Sequence, residues 1–341
     1  MLVLYLVVLL ISAYGLGLRK DSTHGEALSI EQCNAIKGIS ILLVFISHAS
    51  QYVTTSGYSY SMVGDNLFLQ IKSAIGQLCV VMFFFYSGYG IERSIATKGE
   101  QYVRNMPKRR LLTTLINFDI AVVIFLIANL LLGTRVSLSR FVISLFAWDS
   151  IGNSEWYIFD ILVLYAISYI SSLMTSNPGI RFGLVLSMTV LLIVVLQVFK
   201  GSWWYNTLLA YPAGVLLAMN KERVVEQITK HFWSILLGLF MLSAALLIFR
   251  KSHVIVYNAA SVAFAFMVVT LTFRIRIQNR CLIWLGTQLF PLYIYQRLPM
   301  MAINELHPSM IRLYPLLFVF SSLLITILIT FSYKYWKVSF R

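Results

Sequence analysis

Charged residues are scarce in this sequence, and acidic residues are the scarcest of them. Only 12% of the 341 residues are charged, and 13 Asp and Glu stand against 27 Lys and Arg. A soluble globular domain carries about 25% charged residues, so the composition excludes a soluble protein. The hydrophobic fraction of 59% and the mean hydropathy of +0.80 indicate a polytopic integral membrane protein instead.

Cysteine is also scarce, and its spacing excludes two further classes of protein. Cys33, Cys79 and Cys281 form no CxxC pair and no Cys/His cluster, so neither a disulfide framework nor a metal site is expected. Scattered cysteines in apolar segments are usually inert packing residues. We expect no metal and no permanently bound cofactor. The chain also lacks an internal repeat and any segment polar enough for a soluble domain.

Apolar runs of about 20 residues recur along the chain and predict an all-α bundle of membrane helices. The first run lacks a basic segment before it, which favours an uncleaved anchor over a cleaved signal peptide. We therefore predict an N-terminal anchor helix and polar linker over 1–34 and a membrane domain over 35–341. The predicted spans are 2–18, 35–53, 71–91, 111–133, 155–174, 180–199, 203–219, 231–249, 254–273, 281–303 and 314–333.

A formal net charge of +14 is compatible with nucleic-acid binding, but the distribution of the charge along the chain indicates membrane topology instead. With these spans, 19 of the 27 Lys and Arg residues fall on one side of the membrane and 6 on the other. The positive-inside rule then predicts a multi-pass cell-membrane protein with the N-terminus outside and the C-terminus in the cytoplasm. No nucleic-acid partner is expected. The positive charge is also suited to binding an anionic cytosolic ligand or membrane lipids.

Lys37 and His48 lie within one apolar run, where ionisable groups are rare and usually functional. Eleven residues make almost three helical turns, so both side chains share one face about 16 Å apart. Histidine is suited to proton transfer near neutral pH. The competing interpretations are a structural hydrogen bond for His48 and a snorkelling side chain for Lys37.

Two further elements have both a structural and a functional interpretation. Ser87-Gly88 ends an aromatic run, and its small side chains admit either a neighbouring helix or a ligand. The predicted cytoplasmic loop 92–110 is basic, which suits topology and anionic lipids but equally a phosphate-rich ligand. The residues concerned are Arg93, Arg104, Lys108, Arg109 and Arg110.

Polar groups also mark two later spans. Asn153, Trp156, Tyr157 and Asp160 share the spacing of one helical face. Asp119 and Asp160 are intramembrane acids that need partners, for which Arg297 is the natural candidate. Pro291 predicts a kink beside Tyr293, Gln296 and Arg297, which favours cavity lining over lipid exposure. Trp203-Trp204-Tyr205 is interpreted as an interfacial anchor.

In their order and spacing these elements resemble the membrane acyltransferase-3 family of bacterial multi-pass enzymes. The resemblance covers about 36–333, which makes ten family-core helices plus one extra N-terminal helix. The sequence departs from the family pattern in carrying Lys37 where many members have Arg, and Gln296 where a late His is usual. The matching segments are Lys37 to His48, Phe84-Phe85-Tyr86-Ser87-Gly88-Tyr89, Lys108-Arg109-Arg110, Trp156-Tyr157-Ile158 and Gly286 to Gln296.

The resemblance implies an O-acyltransferase that moves an acetyl group from cytosolic acetyl-CoA to a hydroxyl of a surface or lipid-linked glycan. Polysaccharide-assembly proteins are possible further partners. The alternatives are a glycan or small-solute transporter without chemistry, and a structural partner in such an assembly. The implied catalytic residues are His48 and Lys37, the implied donor-binding residues are Ser87, Gly88, Arg93, Lys108, Arg109 and Arg110, and the expected acceptor-binding residues are Trp156, Tyr157, Tyr293 and Gln296.

Overall fold

A computed structural model describes residues 1–19, 26–250 and 253–340. Helices dominate these residues, which confirms the predicted all-α membrane bundle. The helices are α1 (Val3–Ala13), α2 (Ile30–Thr55), α3 (Asp65–Ile75), α4 (Leu78–Met106), α5 (Thr113–Leu131), α6 (Leu138–Leu145), α7 (Trp156–Met174), α8 (Pro178–Phe199), α9 (Ala210–Met219), α10 (Lys221–Lys230), α11 (Phe232–Ile248), α12 (Val254–Leu271), α13 (Arg280–Thr287), α14 (Leu289–Tyr295), α15 (Arg297–Leu306), α16 (Pro308–Leu313) and α17 (Pro315–Ser332).

Fewer helices are long and continuous than the eleven predicted spans would require. In the described part of the chain, six helical stretches are long and apolar enough to cross a membrane. A seventh is added if α10 and α11, which meet at a bend of 101°, form one span. One of the six runs from Asp65 to Leu131 and covers the predicted span 71–91 and most of 111–133. The chain is a multi-pass membrane protein.

Three predicted spans differ from the helices observed. The only helix in the span 2–18 is the 11-residue α1, which reaches about 16 Å against a hydrocarbon core of about 30 Å. The span 203–219 contains the ten-residue helix α9. The span 281–303 is divided into α13, α14 and α15, with a break at Gln288 just before Pro291, whose ring removes a backbone donor.

A two-stranded antiparallel sheet, which the sequence did not predict, ties the N-terminal segment to the core. Strand β1 (Leu16–Leu18) pairs with strand β2 (Ile275–Ile277), and Leu16 lies opposite Ile277. Arg19 follows β1, and its Nε donates to the backbone oxygen of Thr272 at 3.1 Å. Residues 20–25 of the predicted linker lie outside the described residues.

The predicted cytoplasmic loop 92–110 is helical rather than irregular. Helix α4 continues to Met106 past a break at Gly99, whose φ of +58° lies in the left-handed region. A π-helical turn, Pro107–Leu112, then leads into α5 and carries the three basic residues 108–110. The helical structure of α4 and α5 therefore continues through the polar and basic residues that lie between their apolar segments.

One close helix crossing, between α2 and α13, fixes the centre of the bundle. Helix α2 crosses α13 where Gly38 lies against the carbonyl of Leu282 and Gly286 against the carbonyl of Asn34, so neither position has room for a Cβ atom. Small residues of this kind let membrane helices approach closely. The crossing brings α2 beside α14 and thereby places Lys37 and His48 near Tyr293.

Candidate active site

Lys37 lines a cavity of about 370 Å³ near the first turns of α2, here called the Lys37 cavity. Its walls come from α2, α4, α5, α7, α13 and α14, together with the π-helical turn. Lys37 and Arg110 line it, and no acidic residue does so in the described part of the chain. The cavity is therefore cationic and suited to an anion. The Nε of Arg110 donates to Tyr102 Oη at 3.2 Å, which orients the guanidinium.

His48 lines a second cavity, of about 470 Å³, toward the other end of α2, here called the His48 cavity. Its walls are rich in amide and aromatic side chains, and Glu155 and Arg297 contribute one charge of each sign. Lys37 and His48 thus open into two different cavities. The main polar and aromatic residues of its wall are Ser47, Gln51, Gln77, Asn153, Glu155, Trp156, Trp203, Tyr293 and Arg297.

Tyr293 lines both cavities, and among the described residues it alone does so. Its ring centroid lies 6.2 Å from that of His48 and 5.1 Å from that of Tyr157. The ring of Phe84 packs on Tyr157 in turn, at 4.9 Å. These aromatic rings form the partition between the two cavities.

The His48 cavity has an unusual number of buried polar atoms without a hydrogen-bond partner. Buried polar atoms in proteins are normally paired, so each exception needs a reason. Within the described residues, five of the exceptions belong to side chains that line this cavity, whereas the Lys37 cavity adds only Tyr86 Oη. A bound polar ligand would supply the missing partners. The five atoms are His48 Nδ1, Asn153 Nδ2, Ser154 Oγ, Tyr293 Oη and Arg297 Nε.

Other hydrogen bonds hold the wall of the His48 cavity in place. Arg297 Nη2 donates to Gln51 Oε1 at 2.7 Å and so joins α15 to α2. Gln77 Nε2 donates to the backbone oxygen of Trp203 at 2.7 Å. Asn153 Oδ1 accepts from the backbone nitrogen of Ile151 at 3.1 Å, just before α7 begins. These hydrogen bonds hold the wall of the cavity in position. The five atoms without a partner remain available to a ligand.

The structure divides the residues predicted to bind the donor. Ser87 and Arg110 line the Lys37 cavity. Gly88 does not, because it lies against the carbonyl of Tyr211 at the crossing of α4 and α9. Arg109 lines a smaller surface cavity that Arg110 shares.

The remaining basic residues predicted to bind the donor lie elsewhere. Arg93 lines a separate cavity of about 880 Å³ beside the buried ion pair between Glu92 and Arg181. The Nζ of Lys108 lies 5.3 Å from the ring centroid of Phe340.

The residues predicted to bind the acceptor divide as well. Trp156 lines the His48 cavity and Tyr157 the Lys37 cavity, because they are neighbours on α7 and point to different sides of the partition. Gln296 lines neither cavity. It is fully buried, and its Nε2 donates to the backbone oxygen of Tyr293 at 2.9 Å, which supports the end of α14.

Several residues of the His48 cavity were missed or interpreted differently from the sequence. Trp203 was interpreted as an interfacial anchor, yet it lines the cavity. Nothing in the sequence marked Gln77 as a site residue. It lies just before α4, and only the folding of the chain brings it near His48. The suggested pairing of Arg297 with Asp119 or Asp160 is not observed, since Arg297 binds Gln51. Both carboxylate oxygens of Asp160 lack a hydrogen-bond partner among the described residues.

Comparison with known proteins identifies the class of chemistry. A family model described as an acyltransferase domain, Acyl_transf_3, matches residues 30–334. The chain belongs to this acyltransferase family. No curated protein and no solved structure matches the chain. The match begins at α2 and ends just past α17, so both cavities lie within the family domain and α1 lies outside it.

Family membership favours chemistry over transport alone. The protein is a membrane acyltransferase, and the two cavities along α2 are its candidate active site. Lys37 and His48, predicted from their helical spacing, lie in these cavities.

Proposed function

We propose that this acyltransferase moves an acetyl group from acetyl-CoA to a hydroxyl of a surface or lipid-linked glycan. The observation that carries the proposal is the pair of cavities along α2, one cationic and one rich in amides and aromatic rings, which meet at Tyr293. A transfer between two different substrates needs two binding sites with one point of contact.

The cationic Lys37 cavity suits the acyl donor. Coenzyme A carries phosphate groups, and guanidinium and ammonium groups bind phosphate strongly. Lys37 and Arg110 would hold phosphate there, and Ser87 would line the path of the donor. The donor's reactive end must then reach Tyr293, since no other described residue borders both cavities. Lys37 and His48 are about 16 Å apart along α2, so the donor has to extend along the helix.

The His48 cavity suits a glycan hydroxyl. Sugars present many hydroxyl groups, and the free donors and acceptors of this cavity can bind them. Trp156 and Trp203 add aromatic faces against which the apolar side of a sugar ring can pack. A small number of placed polar groups on an aromatic wall is the usual design of a specific small-molecule site.

His48 would act as the general base. Its Nδ1 has no hydrogen-bond partner in the described part of the chain, and its ring faces the cavity in which the hydroxyl would lie. A base in this position removes the proton from the hydroxyl as that oxygen attacks the thioester carbonyl. After the carbon–sulfur bond breaks, the imidazolium returns the proton to the thiolate of coenzyme A.

The proposed sidedness follows from the charge distribution. By the eleven predicted spans, 19 of the 27 Lys and Arg residues lie on the side of Lys37, which would face the cytoplasm, where acetyl-CoA is made. The N-terminus would lie outside and the C-terminus inside a bacterial cell membrane. The His48 cavity would then open toward the outer face, on which exported glycans are assembled, and assembly proteins would be the expected neighbours.

Transfer of labelled acetyl groups tests this function. Membranes with and without the protein are given [¹⁴C]acetyl-CoA, and label in extracted glycan is measured. His48→Ala should reduce transfer roughly 100- to 10,000-fold while the protein still accumulates. His307→Ala is the matched control, because His307 is exposed and lines neither cavity. Wild-type transfer by His48→Ala would end the assignment of His48 as the base.

A further inference from the structure

If the two substrates react where the two cavities meet, a protein group at that point is needed to stabilise the reacting carbonyl. We propose that the hydroxyl of Tyr293 donates a hydrogen bond to the oxyanion that forms during acyl transfer. This inference rests on the proposed function and gives Tyr293 a catalytic role beyond substrate binding.

The position of Tyr293 is the first argument. Its side chain borders both cavities and its ring lies beside His48, with 6.2 Å between centroids. If the donor occupies the Lys37 cavity and the hydroxyl the His48 cavity, their reacting atoms meet at Tyr293. Stabilising hydrogen-bond donors act where charge develops in the transition state.

The unpaired state of the hydroxyl is the second argument. Tyr293 is 1% exposed, yet its Oη has no hydrogen-bond partner among the described residues. An unpaired buried hydroxyl destabilises a fold, so a protein keeps one only with a reason. Tyr293 Oη is thus a preorganised donor, and no other described protein atom accepts a hydrogen bond from it.

Tyr295, on the same helix, shows what a structural tyrosine looks like in this environment. It is fully buried, lines neither cavity, and its Oη accepts from Trp336 Nε1 at 3.3 Å. The two tyrosines share residue type, helix and burial. They differ in that the hydroxyl of Tyr295 has a hydrogen-bond partner, whereas Tyr293 has none among the described residues and lines the cavities. This difference makes Tyr295 a matched control.

The step balances with the residues named. The acceptor oxygen forms a bond to the thioester carbon as its proton passes to His48, and the carbonyl oxygen becomes an oxyanion. Tyr293 donates a hydrogen bond to this oxyanion and keeps its own proton. The oxyanion then re-forms the carbonyl, the carbon–sulfur bond breaks, and the thiolate takes the proton from His48. The products are the acyl ester and coenzyme A.

Arg297 Nε is another donor of the His48 cavity without a partner among the described residues, but its position fits this role less well. It lines the His48 cavity alone, and its Nη2 already binds Gln51. Its place in the His48 cavity alone suits contact with the acceptor. Tyr293 is the free donor that both substrates would reach.

A pair of tyrosine-to-phenylalanine variants tests the inference. Tyr293→Phe and Tyr295→Phe are assayed in membranes with [¹⁴C]acetyl-CoA, and the purified proteins are melted in detergent. Tyr293→Phe should lower kcat roughly 100- to 1,000-fold with little change in the KM for acetyl-CoA. Its melting temperature should not fall, because the lost hydroxyl had no partner. Tyr295→Phe should show the reverse, with normal kcat and a lower melting temperature.

The outcomes separate the inference from the function on which it rests. Normal kcat in Tyr293→Phe, with active wild-type protein, would overturn the role of Tyr293 and leave the proposed function standing. No transfer by the wild-type protein would overturn both. If Tyr293→Phe fails to accumulate, fluorinated tyrosine at position 293 preserves the shape and makes the hydroxyl a stronger donor. It should alter kcat, whereas the same replacement at 295 should not, and equal kcat at both positions would contradict the inference.

Discussion

At the scale of single residues, the sequence identified some of the candidate site and missed the rest for a physical reason. Lys37 and His48 could be predicted because both lie on one helix, where a fixed rise and period relate spacing to geometry. Trp203 and Gln77 could not, because long-range packing brings them to His48. Arg110 and Arg109 were indistinguishable in the basic run, yet only Arg110 lines the Lys37 cavity.

The difference between these two arginines gives a prediction about the donor. Arg110→Ala should raise the KM for acetyl-CoA about tenfold or more, because a charged hydrogen bond to phosphate contributes roughly 1.5–3 kcal/mol. Lys37→Ala should act in the same direction. Steady-state kinetics at saturating acceptor measure the effect.

Arg109→Ala is the control for this prediction, since it removes the same charge one residue away. Its KM should stay near the wild-type value. An equal rise in Arg109→Ala and Arg110→Ala would mean that overall surface charge, and not the Lys37 cavity, attracts the donor.

At the scale of helices, the sequence predicted where apolar segments occur better than how long each helix runs. Composition located α2, α7, α8, α12 and α17 near their observed positions. It predicted a kink from Pro291, but it did not predict that 281–303 would divide into three helices, with a break at Gln288. That break matters for function, since it places α14 and Tyr293 between the cavities.

The crossing of α2 and α13 gives a prediction at this scale. Gly38→Ala adds a Cβ that meets the Leu282 carbonyl, so the helices must separate and the Lys37 cavity must deform. Overpacking of this kind costs typically 1–3 kcal/mol. We expect a lower melting temperature and weaker donor binding, measured by thermal unfolding in detergent and by KM.

Gly183→Ala and Gly238→Ala are the matched controls, because nothing lies within 4 Å of a Cβ at either position. Both positions are helical, so alanine should leave stability unchanged or raise it slightly. A Gly38→Ala protein as stable and active as these controls would show that the crossing tolerates a wider spacing.

At the scale of the whole molecule, the bundle presents two cavities at different depths with an aromatic partition between them. In the proposed function, this arrangement would let an acyl group pass between substrates that reach the protein from opposite faces. It also explains why one helix carries both Lys37 and His48. In the proposed orientation the Lys37 end faces the cytoplasm, and that orientation decides which face the donor must reach.

Acetyl transfer in sealed vesicles of known orientation tests the central claim most directly. Inside-out and right-side-out vesicles are supplied externally with [¹⁴C]acetyl-CoA, a charged molecule that the bilayer retains on one side. We predict label in glycan from inside-out vesicles, dependent on His48, and almost none from right-side-out vesicles until they are permeabilised. Equal labelling of intact right-side-out vesicles, or labelling that survives His48→Ala, would contradict transfer from the Lys37 cavity to the His48 cavity.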